Sequence, residues 1–152
     1  MVANPDQPPG APSGLTWQMD AAVPQPTPPR SIRSPDDARA LLAPIFAGAS
    51  SEKIAVLHLG DDRLLLAFHE YPGGVQDAEL PLRAVMEEAL RLGTSALIMA
   101  HNHPSGDPDP SAEDLRVSRL LADTARNLGI RLIDHLIFAG NDVRSLRDLG
   151  LL

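Results

Sequence analysis

The chain contains no cysteine. Disulfide bridges and thiolate metal ligands are excluded, so any metal held here must be held by histidine and carboxylate. A cysteine-free chain suits a reducing cytoplasm, which is the expected location. Aromatic residues make up only 3% of the sequence, so a core has to be assembled from Leu, Ile, Val and Ala. No apolar run approaches the ~20 residues of a membrane span, and no membrane segment is expected. The opening MVANPDQPPG has neither a basic stretch nor an apolar run behind it, and it does not read as a signal peptide. Positive charge is also short: the net charge is -7. A partner held through many phosphates calls for a basic surface, so nucleic acid is not expected.

What remains is 152 residues, 43% of them hydrophobic. That suffices for one domain with a core of its own, but not for two. Residues 1–33 read as a Pro-rich disordered tail. Pro5, Pro8, Pro9, Pro12, Pro24, Pro26, Pro28 and Pro29 interrupt any helix or ladder there. Trp17 and Met19 stand alone in it, either as a stray apolar pair or as a short docking motif. Order is expected from Ser34, giving a domain over 34–152. Ser34 caps a helix with Pro35 at its first position, Asp36 and Asp37 in its first turn, and Pro44 and Gly48 to end or kink it.

Residues 52–59 (EKIAVLHL) predict a strand, 60–62 a turn and 63–68 a returning strand. Tyr71 to Gly74 reads as another turn, and 75–80 as a short strand. Residues 82–92 carry a helical period, with Leu82, Val85, Met86, Ala89 and Leu90 on one face and Gly93 as the left-handed cap. Residues 95–100 predict a buried strand, and 112–128 a second amphipathic helix with Leu115, Ser118, Leu121, Ala122 and Ala125 on one side. Residues 130–138 predict a further strand, and Val143 opens a last short element. The order implies an α/β domain, a mixed sheet flanked by helices.

The buried strand at 95–100 delivers the chain into HNHPSGDPDPSAED (101–114). On extended backbone, His101 and His103 point to one face. Ser111 is the natural cap of the next helix, and Asp114 in its first turn can swing back toward the imidazoles. Two histidines and one carboxylate leave a fourth tetrahedral position for water, the mark of a catalytic rather than a structural zinc. Such a site needs a general base beside the water. Glu113 lies ~100° around the helix from Asp114 and should face away, which leaves Glu52 or Glu70. Blander readings stand beside these. Ser111 and Asp114 also form a simple capping box, a role compatible with ligation. Asp107 and Asp109 read as turn residues, His58 and His69 as structural, and His135 as a core histidine.

The segment resembles the JAB/MPN+ (JAMM) metallopeptidase motif: H-x-H, seven residues, S-x-x-D. It is most similar to the RadC-like variant, HNHPSGDPxPSxxD, and agrees at every fixed position. EKIAVLHL resembles the family's strand with the essential glutamate, and LIDHLIF its D-H-x-I strand. Ser118 stands where the family usually has Thr, and Ser145-Leu146 fits its closing segment. The likeness covers about 34–152. It departs at 82–84, where only Arg83 of a Pro-Arg-Glu entry is kept. A Pro-rich segment stands where the family has a helix-hairpin-helix region, which weakens a DNA-repair reading.

The resemblance implies a three-layer α-β-α sandwich of the deaminase-like JAB/MPN type. It implies Zn2+ on His101, His103 and Asp114, Glu52 as general acid/base and Ser111 as oxyanion donor. Asp134 and His135 would orient a ligand from behind. The expected activity is hydrolysis of a peptide or isopeptide bond in a protein or peptide substrate through a metal-bound water. The alternatives are a RadC-like DNA-repair-associated accessory protein and a non-catalytic metal-binding scaffold. A zinc deaminase is disfavoured, since its Pro-Cys-x-x-Cys ligands are absent.

Overall fold

Alternation along the strands decides this architecture. The computed structural model describes residues 30–73 and 80–152. Its elements are helix α1 (Pro35–Phe46), strand β1 (Lys53–Leu59), a short 3-10 turn (Asp61–Arg63), strand β2 (Leu65–Pro72), helix α2 (Leu82–Leu92), strand β3 (Ala96–Asn102), helix α3 (Ala112–Asn127), and strands β4 (Arg131–Ala139) and β5 (Asp142–Ser145). The strands form one five-stranded sheet in the order β2-β1-β3-β4-β5. Only β3 and β4 run parallel, joined by α3 as a crossover.

The central strands are buried on both sides, so their sequences are almost wholly apolar. Ala55, Leu57, Leu59, Ile98, Ala100, Leu136 and Phe138 turn to one face and meet Ala38, Leu42 and Phe46 of α1. Ile54, Val56, Leu97 and Met99 turn to the other and meet Val85, Met86 and Ala89 of α2 and Val117, Leu121 and Ala125 of α3. The result is a mixed sheet between helices, the three layers expected. Removing a side chain such as Leu121, wholly buried, costs about 2–5 kcal/mol in cores of this kind.

Several sequence expectations are corrected. The packed region begins ahead of Ser34: Ile32 is buried, and Ser31 bridges to Leu64, a long-range pairing that no local pattern reveals. Glu52 sits one residue before β1. The second strand is later and longer than 63–68, because Arg63 belongs to the turn, with a φ of 61°. Tyr71 and Pro72 end that strand rather than forming a turn; Pro72 is tolerated because β2 is an edge. The strand expected at 75–80 lies outside the described residues except for Leu80, which is buried and in no strand. Leu90 is 60% exposed, and on α3 Val117 joins the buried face while Leu115 and Ala122 are only half-buried. The tail at 1–29 also lies outside the described residues. Among the described residues, no helix is long and apolar enough to cross a membrane.

One polar residue lies deep under α2. His58 is wholly buried; its Nδ1 meets Thr94 Oγ1 at 3.2 Å and, among the described residues, its Nε2 has no hydrogen-bond partner. Burial, and then the neighbouring His69, lower its pKa from 6.5 to about 4. The unfolded chain binds a proton at the higher pH and the folded chain only at the lower. Stability therefore falls on acidification through that window. The predicted loss between neutral pH and pH near 4.5 is roughly 2 kcal/mol from this residue. Urea titrations at the two pH values should show a smaller difference in His58→Leu than in wild type; an equal difference contradicts this account.

Candidate metal centre

The centre forms where β3, the middle strand, runs out. His101 lies on the α2/α3 face, paired with Ile54 of β1 and Ile137 of β4. His103 is one step past the strand, yet its N–H still bonds Phe138 O at 2.8 Å, which keeps the backbone extended. The two imidazoles therefore share a face, as their spacing predicts, with Nε2 atoms 2.9 Å apart. The chain then turns sharply. Gly106, at a φ of 83°, donates to His103 O, a conformation suited to a residue without a Cβ.

Asp114 is brought back by the capping box at the start of α3. Its N–H bonds Ser111 Oγ at 3.1 Å, and its Oδ2 accepts the Ser111 N–H at 2.8 Å. Oδ1 then lies 3.1 Å from His101 Nε2, and Oδ2 lies 3.1 Å from His103 Nε2. Burial works to raise the Asp114 pKa, but the hydrogen bond and charge that a proton on His101 brings, with the Ser111 bonds, hold it well below the usual carboxylate range; an ion would supply that charge in the proton's place. Glu52 stands further out: its Oε1 is 3.9 Å from His101 Nε2, and its side chain is 34% exposed against 3% for His101. One ligand atom from each of Glu52, His101, His103 and Asp114 lies within 4.8 Å of all the others.

These residues fit a divalent cation. A tetrahedral ion with bonds of ~2.0–2.1 Å to nitrogen and oxygen separates its ligand atoms by about 3.3 Å. The triad is already within a few tenths of an ångström of that spacing. Two imidazole nitrogens and two carboxylates converging on one point repel one another unless a positive charge lies among them. The donor set is hard and intermediate, without sulfur, and it suits zinc while accepting other divalent ions.

The hydrogen bonds behind the triad fix which nitrogens are free. His103 Nδ1 is 2.7 Å from Asp107 O, a carbonyl that only accepts, so Nδ1 carries the proton and Nε2 presents a lone pair. His101 is fixed through a longer chain. The Ser118 hydroxyl bonds Asp114 O at 2.6 Å and must donate there. Ser118 Oγ therefore accepts from His135 Nδ1. Burial, followed by the proximity of His101, lowers the His135 pKa to about 3, so the ring is neutral and its Nε2 accepts. His101 Nδ1, at 2.7 Å, donates to it and leaves His101 Nε2 bare toward the centre.

His101, His103, Asp114 and Glu52 are thus brought together, and His135 stands directly behind His101. Asp134 is not part of this group, which corrects the expectation that it orients a ligand. Adjacent strand residues face opposite ways, and Asp134 turns to the α1 side. There its carboxylate accepts from Ser145 Oγ at 2.6 Å and from the N–H groups of His135 and Arg147. Glu70, paired with Ala55, also belongs to the far face. Glu113 bonds Arg116 on the exposed side. Asp107 and Asp109 shape the turn, Asp109 N–H bonding Asp107 Oδ1. Ser111 is the cap expected. The role of Ser118 was missed, although a serine four residues after a helical ligand is placed to bond that ligand's carbonyl.

Fold and site together define a mixed α/β domain with a candidate divalent-metal centre at the end of its central strand. The family model described as RadC-like JAB domain matches residues 32–151. A UPF0758 protein of Salinibacter ruber is 34% identical over 122 residues, which cover 80% of this chain and 52% of that protein. Similar proteins of Chloroflexus aurantiacus and Listeria welshimeri are 36% and 37% identical over 79% and 78% of this chain, and 53% and 54% of their own length. The chain belongs to the RadC-like JAB domain family, and it spans about half the length of the curated relatives it matches.

The hydrogen-bond chain makes a prediction. Ser118→Ala removes the acceptor that orders His135 and should weaken zinc binding about tenfold in a chelator competition. Ser118→Thr keeps the hydroxyl and should stay close to wild type. Unchanged affinity in Ser118→Ala contradicts the chain.

Proposed function

We propose that this domain is a zinc-dependent metallopeptidase or isopeptidase of the JAB class, acting on a protein or peptide substrate. The observation that carries the reading is the division of labour among the four groups. Three close to about 3 Å of one another as a ligand set, with His101 and Asp114 largely buried. The fourth, Glu52, stays apart on the more open side, at 3.9 Å from His101 Nε2. A scaffold that only stores a metal has no need of a separate carboxylate beside it.

His101, His103 and Asp114 would hold the ion. When bound, zinc supplies Lewis acidity, acidifying a coordinated water and polarising a carbonyl. Glu52 takes a proton from the attacking water and returns it to the departing nitrogen, the role of a general acid/base within reach of both. Ser111 Oγ already accepts the Asp114 N–H. Among the described residues no acceptor takes its own proton, which can be given to the carbonyl oxygen as negative charge builds there, a contribution of about 3 kcal/mol when prearranged. The net charge of -7 favours this reading over a nucleic-acid partner.

Metal analysis and a peptide library read by mass spectrometry test the proposal. Wild type should carry about one zinc per chain, and His103→Ala should lose it. Glu52→Gln, saturated with zinc to offset a weaker affinity, should still carry about one ion per chain and abolish cleavage of any library member that wild type cuts. Equal metal in wild type and His103→Ala removes the site. Undiminished turnover in Glu52→Gln moves the proton transfer elsewhere, and full zinc loading without any cleavage favours the scaffold.

A further inference from the structure

Asn102 lies between the two histidine ligands, on the strand face opposite theirs, and is buried. Its side-chain oxygen accepts the Lys53 N–H at 2.7 Å, and its side-chain nitrogen donates to Ser51 O at 3.0 Å. One amide thus grips the backbone on both sides of Glu52. The partners fix the orientation of that amide, since the peptide N–H only donates and the carbonyl only accepts. The other flank is held by a different element. Gly73, at the end of β2, donates its N–H to Glu52 O at 2.9 Å. The two backbones are so close that a Cβ on Gly73 would lie 2.4 Å from that oxygen, closer than real contacts allow.

Glu52 precedes β1, where a strand end would ordinarily fray. Among the described residues its side chain, one-third exposed, has no partner closer than His101 Nε2 at 3.9 Å. Its placement therefore comes from its backbone, and the backbone is held by Asn102 and Gly73. We propose that these two are positioning residues for Glu52. Asn102 ties the proton-carrying carboxylate to the strand that leads through the two histidine ligands, and Gly73 admits the neighbouring strand close enough to hold it from the other side. The proposal rests on the reading of Glu52 as the carboxylate beside the ion. It also explains the amide at 102: aspartate has no proton for Ser51 O, and serine is too short to reach both groups.

The test is a double-mutant cycle on zinc affinity, measured by chelator competition on the full chain. The variants are Glu52→Gln, Asn102→Ala and Gly73→Ala, with each of the last two also made in the Glu52→Gln background. A carboxylate held beside the ion is felt through its charge, so each single change should weaken zinc binding about tenfold. Asn102→Ala and Gly73→Ala should add nothing once Glu52→Gln is present. Gly73→Ala lies at the end of an edge strand and decides the matter if Asn102→Ala fails to fold. Equal losses in both backgrounds would mean that the residues act on the ligands or on the fold, and would overturn the proposal. So would single variants with wild-type affinity, Glu52→Gln included. A wild-type chain that binds no zinc overturns the metal reading itself, an outcome distinct from these.

Discussion

Ser118 has one hydroxyl proton, and the carbonyl of Asp114 takes it. That single bond sets the direction of each hydrogen bond in the chain behind His101. It forces Ser118 to accept from His135, His135 to accept from His101, and His101 to turn a bare nitrogen toward the point where Asp114 presents its carboxylate. The path begins and ends on the same residue. Asp114 anchors the chain through its backbone and meets His101 through its side chain, so the helix that supplies one ligand also orients another.

The same economy appears in the cap of α3. Capping and ligation look like rival explanations of Ser111 and Asp114, but the geometry joins them. The box holds Asp114 by its N–H and by one carboxylate oxygen, and both oxygens still face the histidines. The carboxylate is fixed before any ion arrives, which reduces the ordering cost of binding. Clustering imidazoles and carboxylates in a buried pocket works against folding unless a cation balances them. Binding of an ion and stability of the domain are therefore linked.

Much of this was legible because it is local. H-x-H on a strand end, S-x-x-D at a helix start and the apolar run before them obey short-range rules, and they located the triad. Whatever depends on pairing was less legible. Asp134 and His135 are neighbours in a strand, so alternation allows only one of them to face the histidines. Which one does so depends on the register of β4 against β3, where His135 pairs with Met99. Glu70 falls on the wrong face for the same reason. The length of β2 and the inclusion of Ile32 in the core rest on contacts with distant segments. The grip of Asn102 on the backbone around Glu52 spans about fifty residues of sequence, and no spacing rule points to it.

The RadC-like JAB family supplies the frame, and the relatives matched here are about twice as long as the matching region. The chemistry argued for this chain rests on its own residues: two imidazoles presenting Nε2, one carboxylate beside them and a second set apart. X-ray absorption at the zinc edge of the loaded protein tests that arrangement most directly. The account predicts an ion at ~2.0–2.1 Å from nitrogen and oxygen donors, with the outer-shell scattering of two imidazole rings. A zinc surrounded by oxygen alone, without imidazole scattering, would contradict it.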